Sequence, residues 1–362
     1  MTDEIFMREA LRIARNAEGR TSPNPLVGAV VVKDGKIIAE GWHRQAGTPH
    51  AEVHALNMAG ELARGATLYV TLEPCSHFGR TPPCANKIID AGISRVVAAM
   101  SDPNPKVAGR GFELLRAAGV AVEVGLLEAQ ARELNEDFIK WVTRRLPFVT
   151  MKFACSLDGK IATVAGESQW ISGEASRRFT HHLRDLNDAI LIGVGTVLAD
   201  NPSLTTRLVE GKNPVRVIVD SRARTPLDST VVNDKSARTI IATTALAPQE
   251  KISALKARGV EIITAGDAER VDLKLLMQEL AEREITSVLV EGGGTIHFAM
   301  LKAGLVDKVL AFVAPKIIGG SGALTAVEGA GFEKLSDAVE LKNFTASTFG
   351  EDILLSGYVK EA

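Results

Sequence analysis

The chain has 362 residues, of which 46% are hydrophobic and 24% charged, and its formal net charge is −2. This length predicts two domains, because one hydrophobic core rarely serves more than about 250–300 residues. The near-neutral charge argues against nucleic acid as a partner, and the absence of any run of 18 apolar residues argues against a membrane span. Three cysteines form no disulfide framework, and the acidic N-terminus does not resemble a signal peptide, so we expect a cytoplasmic protein.

The first predicted unit alternates helices and strands. A helix over 3–18 precedes a hairpin over 29–39, and a second helix is expected to begin near residue 50. The later elements are strand 66–72, helix 82–91, strand 94–100, helix 109–118, strand 120–124 and helix 126–142.

A domain boundary is expected near residues 145–147, which gives domains 1–145 and 146–362. The second domain again alternates, as is typical of an α/β fold. Its predicted strands are 148–154, 188–193, 214–219, 238–243, 260–264, 286–291 and 307–313, and its predicted helices are 173–185, 249–257, 272–283 and 295–303.

Three side chains of the first unit form a candidate zinc site. His50 lies in T-P-H-A-E-V-H, and Cys75 and Cys84 lie in E-P-C-S-H-F-G-R-T-P-P-C. One imidazole and two thiolates are a zinc ligand set that leaves a fourth position for water. Glu52 lies two residues after the histidine, where a carboxylate can move protons without binding the metal. This order of His-x-Glu, Pro-Cys and Cys is typical of zinc-dependent nucleobase deaminases.

Two predicted helix starts would bring these ligands to one point. Thr48 is expected to cap one helix, so that His50 and Glu52 lie at its start. Thr81 is expected to cap a second helix, whose first turn contains Cys84. A helix N-terminus lowers the pKa of a thiol, which favours the thiolate that binds metal.

Alternatives to a catalytic deaminase site stay open at this point. Eight residues separate the two cysteines, whereas the short motif has two. His50 and His54 are four residues apart, as in the protease motif H-E-x-x-H, but Ala51 stands where that motif has Glu. We interpret His54 as a residue that packs in the core or supports the metal ligands from behind. A closed structural zinc site is a further alternative, although no fourth ligand with close spacing is present.

A triple glycine marks a candidate phosphate site in the second unit. The stretch L-V-E-G-G-G-T-I-H reads as a buried strand, a glycine turn and a helix start, and backbone amides at a helix N-terminus bind phosphate. The G-x-G-x-x-G fingerprint is absent, so a Rossmann domain is not indicated. The alternative interpretation is a tight turn between strand and helix.

Two further loops carry polar residues suited to a nucleotide. The first, G-V-G-T-V-L-A-D-N-P-S-L-T-T-R, contains Thr196 and Asp200. The second places Ser221, Arg222 and Arg224 beyond a strand end, where cations would suit a ribose 2′-phosphate and favour NADPH over NADH. Ordinary solvated arginines are the alternative.

Together these motifs resemble a known family. T-S-P-N-P-L-V-G-A-V-V-V, P-H-A-E-V-H-A-L, T-L-E-P-C-S-H-F-G-R-T-P-P-C and D-P-N-P are similar to the deaminase half of the bifunctional riboflavin-biosynthesis deaminase/reductases. M-K-F-A-C-S-L-D-G-K-I-A, the loop over 193–207 and L-V-E-G-G-G resemble the reductase half. The resemblance covers nearly the whole chain, and the eight-residue gap between the cysteines is the family's own pattern.

The resemblance implies an α/β protein with an N-terminal cytidine-deaminase-like domain and a C-terminal dihydrofolate-reductase-like domain. It implies zinc-dependent hydrolysis of the 2-amino group of 2,5-diamino-6-ribosylamino-4(3H)-pyrimidinone 5′-phosphate. NADPH would then reduce the ribosyl group to ribityl, giving 5-amino-6-ribitylaminouracil 5′-phosphate. A homo-oligomer acting on this small molecule is expected, without nucleic acid or membrane partners.

Matching positions assign the site residues that this resemblance implies. Glu52 is the catalytic acid/base, and His50, Cys75 and Cys84 bind zinc. Substrate contacts are expected from Asn24, His43 and Asn104 in the first domain and from Ser168, Arg184, Leu204, Arg207 and Glu291 in the second. NADPH contacts are expected from Lys152, Ala154, Trp170, Thr196, Asp200, Ser221, Gly293, Gly294 and Thr295. Arg184 and Arg207 would clamp the 5′-phosphate, because a guanidinium grips phosphate through paired hydrogen bonds. No proton donor for the reductase is evident.

Two rival functions remain at the level of the sequence. A nucleic-acid deaminase would need a basic surface rich in aromatic residues, whereas this chain is slightly acidic with 5% aromatics. A non-enzymatic module would have a structural zinc, which the spacing of His50 and Glu52 and the open fourth position oppose.

Overall fold

The computed structural model describes residues 2–76, 83–105 and 107–360. The chain divides into two compact units, Met1–Leu146 and Pro147–Ala362. In the described part, no helix is both long enough and apolar enough to cross a membrane.

The first unit is an α/β domain with one sheet. Its strands are β1 (Gly28–Lys33), β2 (Lys36–Trp42), β3 (Thr67–Val70), β4 (Arg95–Ala98) and β5 (Ala121–Val124). Its α-helices are α1 (Asp3–Ala14), α2 (Ala51–Ala59), α3 (Cys84–Asp90), α4 (Arg110–Ala117), α5 (Glu128–Leu134) and α6 (Glu136–Arg144). The sheet order is β2-β1-β3-β4-β5, antiparallel around β1 and parallel from β3 to β5.

Helices cover both faces of this sheet because successive strand residues point to opposite sides. Val31, Leu68 and Val96 pack in one core with residues of α2, α3 and α4. The neighbouring Val30, Tyr69 and Val97 pack in the other core with residues of α1 and α5. Since β3 and β4 run parallel, the loops that follow them meet at one edge of the sheet. Cys75 follows β3 and Asn104 follows β4 at that edge.

The second unit is built on a larger sheet. Its strands are β6 (Phe148–Ser156), β7 (Ala189–Gly193), β8 (Val215–Val219), β9 (Thr239–Thr243), β10 (Glu261–Thr264), β11 (Ser287–Gly292), β12 (Lys308–Ala314), β13 (Leu341–Phe349) and β14 (Asp352–Val359). Its α-helices are α7 (Glu174–Leu186), α8 (Val194–Asp200), α9 (Thr230–Asn233), α10 (Gln249–Ala257), α11 (Leu273–Glu282) and α12 (Gly294–Lys302). The strand order is β10-β9-β8-β7-β11-β6-β12-β14-β13, and β10 through β12 are parallel neighbours.

The predicted strands of both units are present, whereas several other expectations were wrong. The segment 126–142 is two helices, α5 and α6, because Asn135 leaves the helical conformation with φ −121° and ψ 27°. The hairpin of β13 and β14 was missed, since β13 is exposed along nearly its whole length and lacks an alternating apolar pattern. The predicted loop with Thr196 and Asp200 is the short helix α8, whose pattern Gly195 obscures.

Candidate active sites

The three predicted metal ligands converge in the first unit. His50 Nδ1 lies 3.2 Å from Cys84 Sγ and 3.6 Å from Cys75 Sγ, and all three ligand atoms lie within 4.8 Å of one another. His50 is the N-cap of α2, Cys75 follows β3, and Cys84 is the first residue of α3. Two helix N-termini and one strand end therefore meet at a point, which a metal off the helix ends can reach.

The predictions for the two helix starts have different outcomes. Thr48 does not cap α2, because the helix begins at Ala51, and the Thr48 hydroxyl instead donates to Gln45 O at 2.7 Å. The prediction that Cys84 lies in the first turn of its helix is confirmed. Thr81 and Pro82 lie outside the described residues.

The donor set fits zinc on chemical grounds. Hydrogen bonding with the Cys84 side chain, and next with His50, lowers the pKa of Cys75 to about 4, so one thiolate forms readily. The hydrogen bond with Cys75 also raises the pKa of His50. In the described part of the chain, the metal-competent group consists of one histidine and two cysteines, which leaves a coordination position for water.

Glu52 lies beside this cluster and is 3% exposed. Its burial raises the pKa of the carboxyl group, and the nearby His50 acts in the opposite sense. A raised pKa makes a carboxylate a stronger base, which suits a group that must accept a proton and then return it.

Asn24 and His43 form a hydrogen-bonded pair next to the candidate metal ligands. His43 Nδ1 lies 3.2 Å from Pro49 O, and a carbonyl can only accept, so Nδ1 carries the proton. His43 Nε2 therefore accepts from Asn24 Nδ2 at 3.1 Å. Burial lowers the pKa of His43, which keeps this tautomer neutral. The His43 ring packs edge-on against His50, with centroids 5.3 Å apart.

Glu73 is a site-edge residue that sequence reasoning missed. Its carboxylate is 6% exposed and accepts three backbone N–H groups, from Asp102 at 3.1 Å, Gly109 at 2.9 Å and Gly111 at 2.9 Å. These bonds tie the segment before Cys75 to the loop after β4, which carries Asn104, and to the first turn of α4. The acidic residue two positions before Cys75 was the available signal.

In the second unit, most of the predicted residues lie along one edge of the sheet. Ala154 lies near the end of β6, Ser221 follows β8, and Glu291 lies near the end of β11. Thr196 and Asp200 lie on α8, directly after β7. Ligands of open parallel sheets bind beyond the carboxyl ends of the strands, which is where these residues are.

The triple glycine packs tightly at this edge. A Cβ on Gly292 would lie 2.9 Å from Ile192 Cγ2, and one on Gly294 would lie 2.4 Å from Glu328 Cγ. Gly293 is the N-cap of α12 and has φ +78°, a conformation that favours glycine. Thr295 follows in the first turn. Close packing thus accounts for two of the glycines, and the third shapes the start of the helix.

Arg184 and Glu291 form a bidentate ion pair. Arg184 Nε donates to Glu291 Oε1 at 2.7 Å and Nη2 donates to Oε2 at 2.8 Å, with both side chains nearly buried. Burial opposes ionisation of Glu291, but Arg184 and then Lys152 hold its pKa below the usual value. Burial lowers the pKa of Lys152, whose Nζ lies 5.7 Å from the centroid of the Phe312 ring.

The remaining predicted residues lie in loops with different environments. Leu204 is buried with φ +54°, and Arg207 is exposed with its Nη1 2.8 Å from Thr205 Oγ1. Ser168 is half-buried, and Trp170 is exposed beneath Arg177, whose guanidinium carbon lies 4.8 Å from the ring centroid.

The polar residues predicted beyond the end of β8 differ in their bonding. Ser221 accepts from Val271 N through its hydroxyl at 3.1 Å. Arg222 and Arg224 are exposed.

Two family models match the chain. Residues 1–100 match the cytidine and deoxycytidylate deaminase zinc-binding region, and residues 147–355 match the RibD C-terminal domain. The riboflavin biosynthesis protein RibD of Bacillus amyloliquefaciens is 47% identical over 99% of this chain and 97% of its own. RibD of Escherichia coli strain K12 is 43% identical over 98% of this chain and 99% of its own.

Solved structures agree with this match over the full length. RibD of Acinetobacter baumannii superposes with a TM-score of 0.89 at 39% identity, covering 99% of each chain. The diaminohydroxyphosphoribosylaminopyrimidine deaminase/5-amino-6-(5-phosphoribosylamino)uracil reductase of Thermotoga maritima superposes with a TM-score of 0.86 at 40% identity, covering 99% of this chain and 98% of that one.

Proposed function

The chain belongs to the RibD family of bifunctional deaminase/reductases of riboflavin biosynthesis, and from this premise we propose which residues carry each reaction. The predictions of the family, of both enzyme activities and of zinc and NADPH as cofactors are confirmed. So is the fold class, a cytidine-deaminase-like domain followed by a reductase domain.

We propose that the deaminase reaction belongs to residues 1–145. The observation that carries this proposal is the convergence of His50, Cys75 and Cys84 beside the buried Glu52. Zinc held by these three ligands would supply Lewis acidity, which lowers the pKa of bound water from about 15.7 to about 7. Glu52 would take one proton from the attacking water and deliver it to the pyrimidine ring nitrogen. It would then pass the second proton of that water, from the new hydroxyl group, to the amine, which leaves as ammonia. Its burial suits it to both steps.

Asn24 and His43 are proposed to orient the pyrimidine. Because His43 Nε2 accepts from the Asn24 amide nitrogen, the Asn24 carbonyl oxygen is turned away from His43. An acceptor in that position suits a donor of the substrate, such as the amino group to be removed. Asn104 would approach from the loop that Glu73 secures.

We propose that residues 146–362 carry the reductase. Lys152, Ala154, Trp170, Thr196, Asp200, Ser221 and the α12 start over 293–295 would hold NADPH, which supplies the hydride for the ribosyl carbon. Ser168, Leu204 and the Arg184–Glu291 pair would line the substrate. Since Arg184 is engaged by Glu291, the exposed Arg207 is the better candidate for the 5′-phosphate.

We further propose a cytoplasmic homo-oligomer. Its three cysteines are unpaired thiols, which suits a reducing compartment. The edge strand β13 is exposed and carries the half-exposed Phe344, and edge strands of this kind pair with other chains unless covered. Light scattering on the purified chain at several concentrations tests the oligomer; a monomer throughout would contradict it.

The substitution Glu52→Gln tests the deaminase assignment. It keeps the side-chain volume and removes the base, so ammonia release from 2,5-diamino-6-ribosylamino-4(3H)-pyrimidinone 5′-phosphate should fall by about 10²–10⁴. Bound zinc, and NADPH consumption with the deaminated intermediate, should match the wild type. Ammonia release at the wild-type rate would contradict the role of Glu52.

A further inference from the structure

One face of α7 holds the loop that carries Arg207. His181, Arg184 and Asp185 stand at positions i, i+3 and i+4 of the helix and therefore share this face. Each is hydrogen-bonded to the backbone of residues 205–212. The bonds are Arg207 N to His181 Nδ1 at 2.8 Å, Arg184 Nη1 to Thr205 O at 3.0 Å, and Lys212 N to Asp185 Oδ1 at 2.7 Å.

The loop needs such support because part of it is in an unfavourable conformation. Leu204 has φ +54°, a region that non-glycine residues enter rarely and only where surrounding contacts hold them. Gly211 lies so close to Asp185 that a Cβ there would be 2.4 Å from the carboxylate carbon. The loop thus contacts α7 through Gly211 and Lys212 at one end and through the hydrogen bond to Thr205 O at the other.

The bond to Arg207 fixes the tautomer of His181. A backbone N–H can only donate, so His181 Nδ1 must be an unprotonated acceptor and the ring proton lies on Nε2. Burial, and then Arg184 and Arg207, lower the pKa of His181 to about 4. Lys152 on β6 acts in the same sense, while Glu291 on β11 acts against it. The ring is neutral at physiological pH and serves as an acceptor.

We propose that His181 is a positioning residue of the reductase: its neutral Nδ1 anchors the Arg207 backbone and so sets where the Arg207 guanidinium meets the substrate phosphate. The inference rests on the proposed function of Arg207. His181 itself does not touch the reacting atoms. A phosphate contact is made equally in the ground state and the transition state, so its loss raises KM and leaves kcat nearly unchanged.

Two substitutions at His181 separate anchoring from mere packing. Asn carries its amide oxygen at the δ position and replaces the Nδ1 acceptor, whereas Gln carries its oxygen one atom further along. We expect His181→Gln to raise the reductase KM for the deaminated intermediate about tenfold, the equivalent of one lost hydrogen bond, with kcat retained. His181→Asn should restore most of the affinity.

Three controls make the outcome decisive. His182→Gln makes the same change at the exposed neighbouring residue of α7 and should behave as the wild type. Ammonia release should be unchanged in every variant, since that reaction uses the other unit. Arg207→Ala tests the underlying assignment.

Failures of the inference and of the proposed function can be told apart. If Arg207→Ala leaves KM unchanged, the assignment of Arg207 fails. If Arg207→Ala raises KM but His181→Gln does not, or if Asn and Gln at position 181 act alike, the anchoring role of His181 is refuted.

Discussion

The two sites of this chain are built in different ways. The proposed deaminase ligands lie within 35 residues of sequence, between His50 and Cys84, and converge where two helices begin and a strand ends. The proposed reductase residues span 152–295, and most of them lie at one edge of the sheet because parallel strands end there. A metal site is thus fixed by local geometry, whereas the second site depends on tertiary pairing of charged groups such as Arg184 and Glu291.

The largest loss of stability and activity at the second site is expected from breaking the Arg184–Glu291 ion pair. Arg184→Met leaves Glu291 buried without its partner, which should destabilise the protein by about 3–5 kcal/mol and abolish NADPH consumption. Urea denaturation of the full chain measures the first effect. Ammonia release below the unfolding transition should persist.

Arg238→Met is the matched control for this substitution. Arg238 pairs with Glu261 at a more exposed position, so its loss should cost about 0–1 kcal/mol. Equal destabilisation by the two arginine variants would show that the Arg184–Glu291 pair is no more than a surface contact.

A smaller loss of stability, with a loss of substrate affinity confined to the first site, is expected from Glu73→Gln. The amide NH₂ cannot accept from one of the three backbone N–H groups, and an unsatisfied buried group costs about 1–3 kcal/mol. The loop that carries Asn104 should loosen, so KM for deamination should rise while reductase activity stays constant. Glu113→Gln, at an exposed position of α4, is the control. An unchanged KM for Glu73→Gln would show that this loop does not contribute to substrate binding.

The smallest effect is a pH dependence of stability that originates at His181. Its pKa is about 4 in the folded chain and near 6.5 when unfolded, so between these values the unfolded chain binds a proton that the folded chain does not. The free energy of unfolding should therefore fall as pH drops from 6.5 towards 4.

The variant His181→Asn isolates this contribution. Urea midpoints at pH 7 and pH 5 should differ less in the variant than in the wild type. A residual slope is expected from His43 and His297, whose pKa values burial also lowers. If the urea midpoint changes equally with pH in both proteins, His181 does not contribute to the pH dependence of stability.

The sequence predicted the convergence of His50, Cys75 and Cys84 because their chemistry is unusual and their spacing short. It also predicted the central strands, whose apolar runs are distinctive. It could not predict that Arg184 pairs with Glu291, since 107 residues separate them and only the sheet joins them. His181 and Glu73 were missed for a related reason: they act on backbone groups, which carry no mark in the sequence.

We propose that His50, Cys75 and Cys84 hold a zinc ion needed by only one of the two reactions. Metal analysis of the purified chain is combined with assays of ammonia release, and of NADPH consumption with the deaminated intermediate, before and after chelation. We expect about one zinc per chain, none in Cys84→Ala, and loss of ammonia release on chelation while NADPH consumption is retained. Full zinc content in Cys84→Ala, or loss of both activities together, would contradict it.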